Sequence, residues 1–217
     1  MDHSLPFKRH ISPEWDFASR VPDRLTHRLH HYPAALFPDL VAQAIAEFGP
    51  NQPGRIFDPF CGSGTTLLEA MVNGHQAIGA DLNPLARFIT KVKTSRLPPE
   101  LLAGFVPPSD ADIKEARKAS LKSSHTKRLS TWFHEKHIMQ IRRILGWIRA
   151  TQPPLLQDAL RLTLSNLLRR ASFQRNREFK LYRIPEDERE THDFNLLSNC
   201  YLPPFNSSSS YCSTTSD

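Results

Sequence analysis

The sequence predicts an α/β fold, in which a β-α-β-α unit is followed by a basic helical region and a disordered tail. Three observations lead to this prediction. Between residues 55 and 92, short apolar runs alternate with segments of helical periodicity. Between residues 97 and 183, apolar residues recur at helical spacing among many basic residues. From about Glu186 the chain is first acidic and then rich in serine, with too few apolar residues to fold unaided.

Composition limits the size and the cellular setting of the protein. A chain of 217 residues that is 39% hydrophobic can bury one ordinary core and a small second lobe. It has no apolar run long enough to cross a bilayer and no secretory signal pattern, so we expect a cytoplasmic protein. The net charge of +6 fits a polyanionic partner. The three cysteines lack a CxxC pair, which argues against a disulfide framework and a zinc site.

The elements follow in order along four predicted regions. These are an N-terminal arm (1–31), a half-domain (32–95), a basic helical region (96–185) and the tail (186–217). The half-domain opens with HYPAALFPDLVAQAIAEFG, which predicts a helix after the prolines. Leu40, Ile45 and Phe48 are expected to share its apolar face, and Gly49 to end it.

Capping residues, glycine and proline mark the boundaries of the predicted β-α-β-α unit. RIFDP and HQAIGADL are the predicted strands, TTLLEAMVNG and NPLARFITKV the predicted helices, and the two strands should pair in parallel. Thr66 and Glu69 have the spacing of a capping box, and Gly74 suits the position after a helix end. Asn83 with Pro84 suits an N-cap followed by the first helical residue.

The basic region predicts a helical hairpin. Two apolar stripes at helical spacing are separated by the prolines at 153 and 154, which end the first helix. The stripes comprise Ile138, Ile141, Leu145 and Ile148, and then Leu156, Leu160, Leu164 and Leu167.

The turn DPFCGSGTT at residues 58–66 is the strongest functional signal. A glycine-rich turn between a strand and a helix presents backbone N–H groups to a ligand that can approach closely. Asp81 ends the second strand 19 residues after Gly62, the spacing at which a carboxylate reaches a ribose diol. These features predict an adenosine-type cofactor. Leu67 stands where GxGxxG needs a glycine, and GxxxxGK[ST] is absent, so NAD and ATP are disfavoured.

The string IFDPFCGSGTTLLEAMVNGHQAIGADLNPLA resembles the cofactor-binding half of the amino-group DNA methyltransferases, which modify cytosine N4 or adenine N6 in restriction–modification systems. The resemblance implies a partial Rossmann-like sheet, S-adenosylmethionine as cofactor and DNA as substrate. The segment HYPAALFPDL is similar to the family's cofactor-proximal segment. The cofactor-binding residues that the resemblance implies are Tyr32, Asp58, Pro59, Phe60, Gly62, Ser63, Gly64, Thr65, Asp81, Asn83 and Pro84.

Catalysis in this family uses an Asp, Asn or Ser followed by Pro-Pro and an aromatic residue, which accepts the amino hydrogens of a flipped-out base. The only Pro-Pro-aromatic string here is LPPF at 202–205, and Leu202 cannot accept a hydrogen bond from an amine. We interpret LPPF as a chance occurrence and assign no catalytic residue. The sequence therefore predicts a cofactor-binding fragment, and activity of the chain alone does not follow from the resemblance.

Several residues allow two interpretations. Cys61, within the cofactor turn, suits a small packing residue better than a nucleophile. His27, His30 and His31 have helical spacing for a metal but show no carboxylate or cysteine partner, so loop histidines are favoured and no metal is expected. Tyr32 suits a cofactor contact or an anchor for the helix that follows.

A basic stretch interleaved with Phe173, Phe179 and Tyr182 could grip phosphates and stack bases, or could be a solvated helix face. Its candidate nucleic-acid contacts are Arg169, Arg170, Arg175, Arg177 and Lys180.

Three other functions stay open. One is an RNA methyltransferase acting on guanine N2, whose cofactor turn can be very similar. The second is a non-catalytic module that binds cofactor or nucleic acid. The third is one subunit of a split methyltransferase, in which a second chain supplies the catalytic half.

Overall fold

Two short parallel strands lie at the centre of the N-terminal half. In the computed structural model, residues 12–17, 25–33, 35–106, 108–116, 118–119, 123–175, 182–192, 194 and 196 are described. Strand β1 (Arg55–Asp58) pairs in parallel with β2 (Gln76–Gly79), with Phe57 opposite Ile78. Helix α2 (Thr65–Val72) connects them and α3 (Pro84–Thr94) follows. The predicted β-α-β-α unit and its parallel pairing are confirmed.

Glycine allows β2 to lie close to α2. A Cβ atom built on Gly79 would lie 2.8 Å from Leu67 Cδ2 and 2.9 Å from Cys61 Cβ. A Cβ atom does not approach another carbon atom this closely in real structures, so only glycine fits at this position.

The helix ends agree in part with the sequence prediction. Asn83 is the N-cap of α3 and accepts the Leu85 backbone N–H at 3.0 Å, as predicted. Gly74 follows α2 with φ of +80°, also as predicted. The capping box at Thr66 and Glu69 is wrong, because Gly64 occupies the N-cap of α2 and makes no side-chain cap. Glu69 instead points into the protein and is fully buried.

Helix α1 (Pro38–Phe48) packs against α2 through Val41 and Ile45, which are buried beside Ala70. The predicted apolar face is therefore correct at Ile45 and wrong at Phe48, which is 74% exposed. Phe48 stacks on Trp15 with ring centroids 6.0 Å apart. The Phe48 ring thus contacts a distant segment of the chain and is not part of the buried face of α1.

The predicted helical hairpin is confirmed. Helices α7 (Glu135–Ala150) and α8 (Pro154–Ala171) pack together along the two predicted stripes. Six members of the stripes are buried, and Leu145 and Leu167 pack at the edge of the same cluster. The buried members are Ile138, Ile141, Ile148, Leu156, Leu160 and Leu164.

A second apolar cluster joins the hairpin to the β-α-β-α unit. Ile89 and Val92 on α3 pack against Ala159 and Leu162 on α8, and Leu29 from the N-terminal region completes the cluster. Leu29 belongs to a short 3-10 helix at Leu25–Leu29. The described end of the predicted arm therefore lies between the two larger parts of the structure.

The remaining described elements are short helices. They are a 3-10 helix at Pro13–Trp15, α4 (Pro99–Ala103), α5 (Asp110–Glu115), α6 (Ser123–Ser130) and α9 (Glu186–Arg189). Among the helices that the structure describes, none is both long and apolar enough to cross a membrane.

The region predicted as a disordered tail begins with ordered contacts. Ile184 donates its backbone N–H to Phe173 O at 2.8 Å, just before α9. Leu196 is fully buried in the core of the helical hairpin. Aromatic and aliphatic side chains up to residue 196 thus pack on the hairpin in spite of the acidic composition. Residues 197–217, including LPPF, Cys200 and Cys212, lie outside the described residues.

Candidate functional site

The turn after β1 owes its shape to two glycines. Gly62 has φ of +50° and Gly64 has φ of +78°, in the left-handed region that side chains disfavour. A Cβ on Gly64 would also lie 2.7 Å from Thr90 Oγ1, so this position has no room for a side chain. Gly64 donates its backbone N–H to Cys61 O at 2.7 Å, which closes the turn directly before α2.

Asp81 joins this turn to the end of β2. Its Oδ2 accepts the Gly62 backbone N–H at 2.9 Å, and its Oδ1 accepts the Asn83 backbone N–H at 2.7 Å. Each carboxylate oxygen has two lone pairs, so each still offers one acceptor site. Gly62 is held from the other side as well, because its carbonyl accepts the Thr90 hydroxyl at 2.9 Å. The site thus has a fixed, half-buried carboxylate with acceptor capacity left.

Tyr32 lies beside the same turn. Its hydroxyl accepts the Asn83 side-chain amide at 3.3 Å, and its Cε1 lies 3.5 Å from where a Gly62 Cβ would be. The structure therefore brings together Tyr32, Gly62, Asp81 and Asn83, which are separated by up to 51 residues in sequence.

The other predicted cofactor residues divide by exposure. Asp58 accepts the Phe60 backbone N–H at 3.0 Å, which fixes the start of the turn. Phe60 is 85% exposed and Leu82 is 98% exposed, one beside each strand end. Pro59 and Pro84 are exposed, whereas Ser63 and Thr65 are buried. Sequence reasoning did not select Leu82, although its place between Asp81 and Asn83 was a usable signal.

Cys61 is a packing residue, as predicted. Its side chain is 7% exposed and lies against Gly79 of β2. Burial raises the pKa of the thiol, and the nearby Asp58 and Asp81 raise it further, while the Thr90 hydrogen bond lowers it. The reactive form of a cysteine is the thiolate, so this environment disfavours nucleophilic chemistry.

The histidines of the N-terminal region have a partner that the sequence did not reveal. His27 Nε2 lies 2.8 Å from Glu69 Oε1, and the side chains are 5% and 0% exposed. Lys93 is also buried, and burial lowers its pKa to about 8 although Glu69 opposes the change. Within the described residues, no group of three or more His, Cys, Asp or Glu side chains is arranged to hold a metal ion.

An apolar groove of about 610 Å³ lies apart from the glycine turn, between α1 and the start of β1. Its lining includes Leu36, Leu40, Phe48 and Ile56. Of the turn, only Thr66 at the start of α2 reaches it.

The basic region has several cations placed over aromatic rings. The Arg170 guanidinium lies 4.9 Å from the Phe194 ring centroid. Arg175 is exposed and its backbone N–H binds Tyr182 O at 2.8 Å. Phe173 is only 6% exposed and its ring lies against His192 and Arg189, so it is not available to stack on a base. Arg169 is half-buried on α8, while Arg177, Phe179 and Lys180 lie outside the described residues.

Comparisons with known proteins give one consistent result. A sequence profile described as DNA methylase matches residues 3–91. The chain is 32% identical over 189 residues to the type II methyltransferase M.MvaI of Kocuria varians, an alignment that covers 83% of this chain and 42% of the relative. It is 33% identical over 88 residues to M.MjaII of Methanocaldococcus jannaschii, covering 38% of this chain and 16% of the relative.

A third relative matches a shorter stretch. The type II methyltransferase M.BsoBI of Geobacillus stearothermophilus is 37% identical over 68 residues, which is 31% of this chain and 13% of the relative. The chain thus spans less than half the length of the curated relatives it matches. No solved structure matches it.

Proposed function

Because this chain belongs to the family of amino-group DNA methyltransferases, we propose that it binds S-adenosylmethionine as the cofactor-binding part of a site-specific DNA methyltransferase acting on cytosine N4 or adenine N6. The observation that carries the proposal is the Asp81 carboxylate, which links the glycine turn at Gly62 to the start of α3 at Asn83. This arrangement places a charged acceptor between two backbone segments that a nucleoside can approach.

The residues present fit this cofactor. Asp81 retains an acceptor site on each oxygen, enough for the two hydroxyls of a ribose. The glycine turn leaves its backbone open to close approach, which suits the methionine portion. Leu82 and Phe60 expose apolar surface on either side, which suits the planar adenine. When bound, S-adenosylmethionine supplies an activated methyl group on its sulfonium.

The contribution of these residues is positioning. An exocyclic amine is a weak nucleophile, so methyl transfer depends on holding the methyl donor and the amine in line. Asp81, the turn and Tyr32 fix one end of the donor. The proton-accepting residue and the pocket for the flipped base are proposed to come from a catalytic part outside the described residues.

Calorimetric titration with S-adenosylmethionine tests the proposal. The Asp81→Ala variant should bind about tenfold or more weakly, because hydrogen bonds to a charged group contribute about 1.5–3 kcal/mol. Asp110→Ala removes an exposed carboxylate on α5 and is the matched control, with unchanged affinity expected. No binding by a folded wild-type chain would refute the proposed function.

A methyl-transfer assay separates the possible substrates. The chain is incubated with S-adenosylmethionine carrying a tritiated methyl group and with mixed-sequence duplex DNA or structured RNA. Transfer to DNA supports the proposal, and transfer to RNA alone would favour the guanine-N2 alternative. Cofactor binding without any transfer would agree with a cofactor-binding part that needs a catalytic half.

We propose a second chain as the source of the catalytic half, and one observation favours this proposal. Phe57 and Ile78 lie opposite each other on the two-stranded sheet and are 63% and 52% exposed. Parallel sheets are normally covered on both faces, so this face suits further strands and helices. Adding a separately produced C-terminal half of M.MvaI should yield methyl transfer, which Phe57→Asp should abolish. Val106→Asp changes an exposed apolar residue elsewhere and should have no effect.

A further inference from the structure

His27 and Glu69 form a polar contact whose two side chains are both buried. The two side chains are separated by 42 residues in sequence and meet at 2.8 Å with almost no exposure to solvent. Nε2 donates to the Glu69 carboxylate when the imidazole carries its proton on that nitrogen. Breaking a buried pair of this kind leaves a polar group without its partner, which is costly. The contact therefore holds the N-terminal segment firmly to α2.

Further contacts fix the same segment along its length. Thr26 Oγ1 donates to Lys93 O on α3 at 2.9 Å, and His30 Nε2 lies 3.2 Å from Ser165 Oγ on α8. Between them, Leu29 is buried in the cluster that joins α3 to α8. Residues 25–32, which we call the brace, thus contact three helices of both halves of the structure.

Lys93 lies near the same buried carboxylate. The Lys93 side chain is 3% exposed and stands near Glu69, with its pKa lowered to about 8 by burial. A buried carboxylate beside an imidazole and an ammonium group has polar partners on two sides. The pair formed by His27 and Glu69 is therefore part of a specific buried polar arrangement and not a surface contact.

The brace ends at Tyr32, whose one described hydrogen bond is weak. Its hydroxyl meets Asn83 Nδ2 at 3.3 Å, a long hydrogen bond that is open to solvent. Its ring lies against the Gly62 turn. Tyr32 also packs against the apolar cluster that contains Leu29. Because Leu29 belongs to the brace, the position of Tyr32 depends on the brace that precedes it.

The geometry points to His27 and Glu69 as a positioning pair for cofactor binding, which fixes the brace so that Tyr32 lies against the Gly62 turn. This inference rests on the proposed function, because it concerns affinity for the same cofactor. His27 and Glu69 are assigned a positioning role and no contact with the cofactor. Their effect reaches the site through the five-residue path from His27 to Tyr32.

A double-mutant cycle tests the inference by calorimetric titration of the full chain with S-adenosylmethionine. His27→Leu should weaken binding about tenfold, whereas His27→Gln, which can still donate to Glu69, should restore most of the affinity. In the Tyr32→Ala background, His27→Leu should cause no further loss, because its effect acts through Tyr32. His125→Leu, an exposed change on α6, should leave affinity unchanged.

Stability measurements distinguish positioning from a purely structural role. Urea unfolding of each variant is recorded together with its cofactor affinity. The inference would be overturned if His27→Leu lowered stability and left cofactor affinity unchanged. It would also be overturned if the affinity losses of His27→Leu and Tyr32→Ala were additive in the double variant. If His27→Leu does not fold, His27→Asn, whose amide is too short to reach Glu69, replaces it in the cycle.

The wild-type titration distinguishes failure of the proposed function from failure of the positioning role. A wild-type chain that does not bind S-adenosylmethionine refutes the proposed function itself. A wild-type chain that binds, with a His27→Leu variant that binds equally well, refutes only the positioning role.

Discussion

Gly64 lies so close to Thr90 that a Cβ on Gly64 would be 2.7 Å from Thr90 Oγ1 and 3.0 Å from Thr90 Cβ. The second of these atoms is fixed to the backbone of α3, so it cannot move aside as a flexible side chain would. The backbone of the turn at Gly64 therefore packs directly against the side chain of Thr90 on α3. Gly74 offers a comparison, because its φ of +80° is similar but nothing lies within 4 Å of its Cβ position.

The first prediction follows from this pair of glycines. Gly74→Ala should lower the free energy of unfolding by about 1–2 kcal/mol, the cost of a left-handed backbone for alanine. Gly64→Ala adds a clash and should cost about 2–5 kcal/mol in total. Only Gly64→Ala should also weaken S-adenosylmethionine binding. Urea unfolding and calorimetry measure both effects, and equal losses for the two variants would contradict the close packing at Gly64.

The second prediction concerns Cys61, whose thiol pKa is raised mainly by burial. In a variant carrying Cys200→Ser and Cys212→Ser, iodoacetamide should react with Cys61 more slowly than with the same chain unfolded in urea. The rate in the folded chain should continue to rise at more alkaline pH than in the unfolded chain, because the thiolate forms later.

Cys61→Ala complements that measurement. The change removes one sulfur atom from a buried position and should cost about 1 kcal/mol of stability, with cofactor affinity nearly unchanged. A loss of affinity that exceeds the loss of stability would show that the thiol takes part in the site and does not only pack against Gly79.

Local patterns predicted the parts of the fold that depend on neighbouring residues. The strands, the hairpin and the Asn83 cap follow from periodicity, proline positions and capping chemistry, all of which act within a few residues. The contact between Asp81 and Gly62 was also foreseeable, since parallel strands end at the same edge of a sheet.

The sequence could not predict contacts between distant segments. Glu69 has the spacing of a capping residue, but its side chain is buried, where it contacts His27, 42 residues earlier, and lies near Lys93. Phe48 continues the apolar stripe of α1, yet its ring meets Trp15 and not the core. In both cases a tertiary contact overrides a local preference, and single-sequence patterns contain no signal for it.

The third prediction concerns pH and His137, whose side chain is fully buried. Burial lowers its pKa below 6.5, and the charges of Lys136, His192 and His134 lower it further. The unfolded chain therefore takes up this proton at higher pH than the folded chain. The contribution to stability is complete above about pH 6.5 and is lost as pH falls toward the lower folded pKa.

Urea unfolding between pH 7.5 and 5 measures this effect. His137→Leu removes the titrating group and should reduce the loss of stability by up to about 1.4 kcal/mol per pH unit. Part of the slope should remain, since burial also lowers the pKa of His30. His125→Leu, an exposed substitution, should leave the slope unchanged, and an unchanged slope in His137→Leu would contradict the prediction.

The last prediction separates the two interpretations of the basic region by comparing Arg170 with Arg175. The Arg170 cation lies over the Phe194 ring, so Arg170→Ala should lower the free energy of unfolding by about 0.5–1 kcal/mol. Arg175 is exposed, and Arg175→Ala should change stability by less than about 0.5 kcal/mol. If Arg175 grips a phosphate, Arg175→Ala should weaken duplex DNA binding and reduce the salt slope of the binding constant by about 1. Binding measured over a range of salt concentrations decides between them, because an Arg175 that is only solvated would leave the slope of Arg175→Ala equal to that of the wild type. Arg175 lies beyond the end of α8, so it is not part of a helix face.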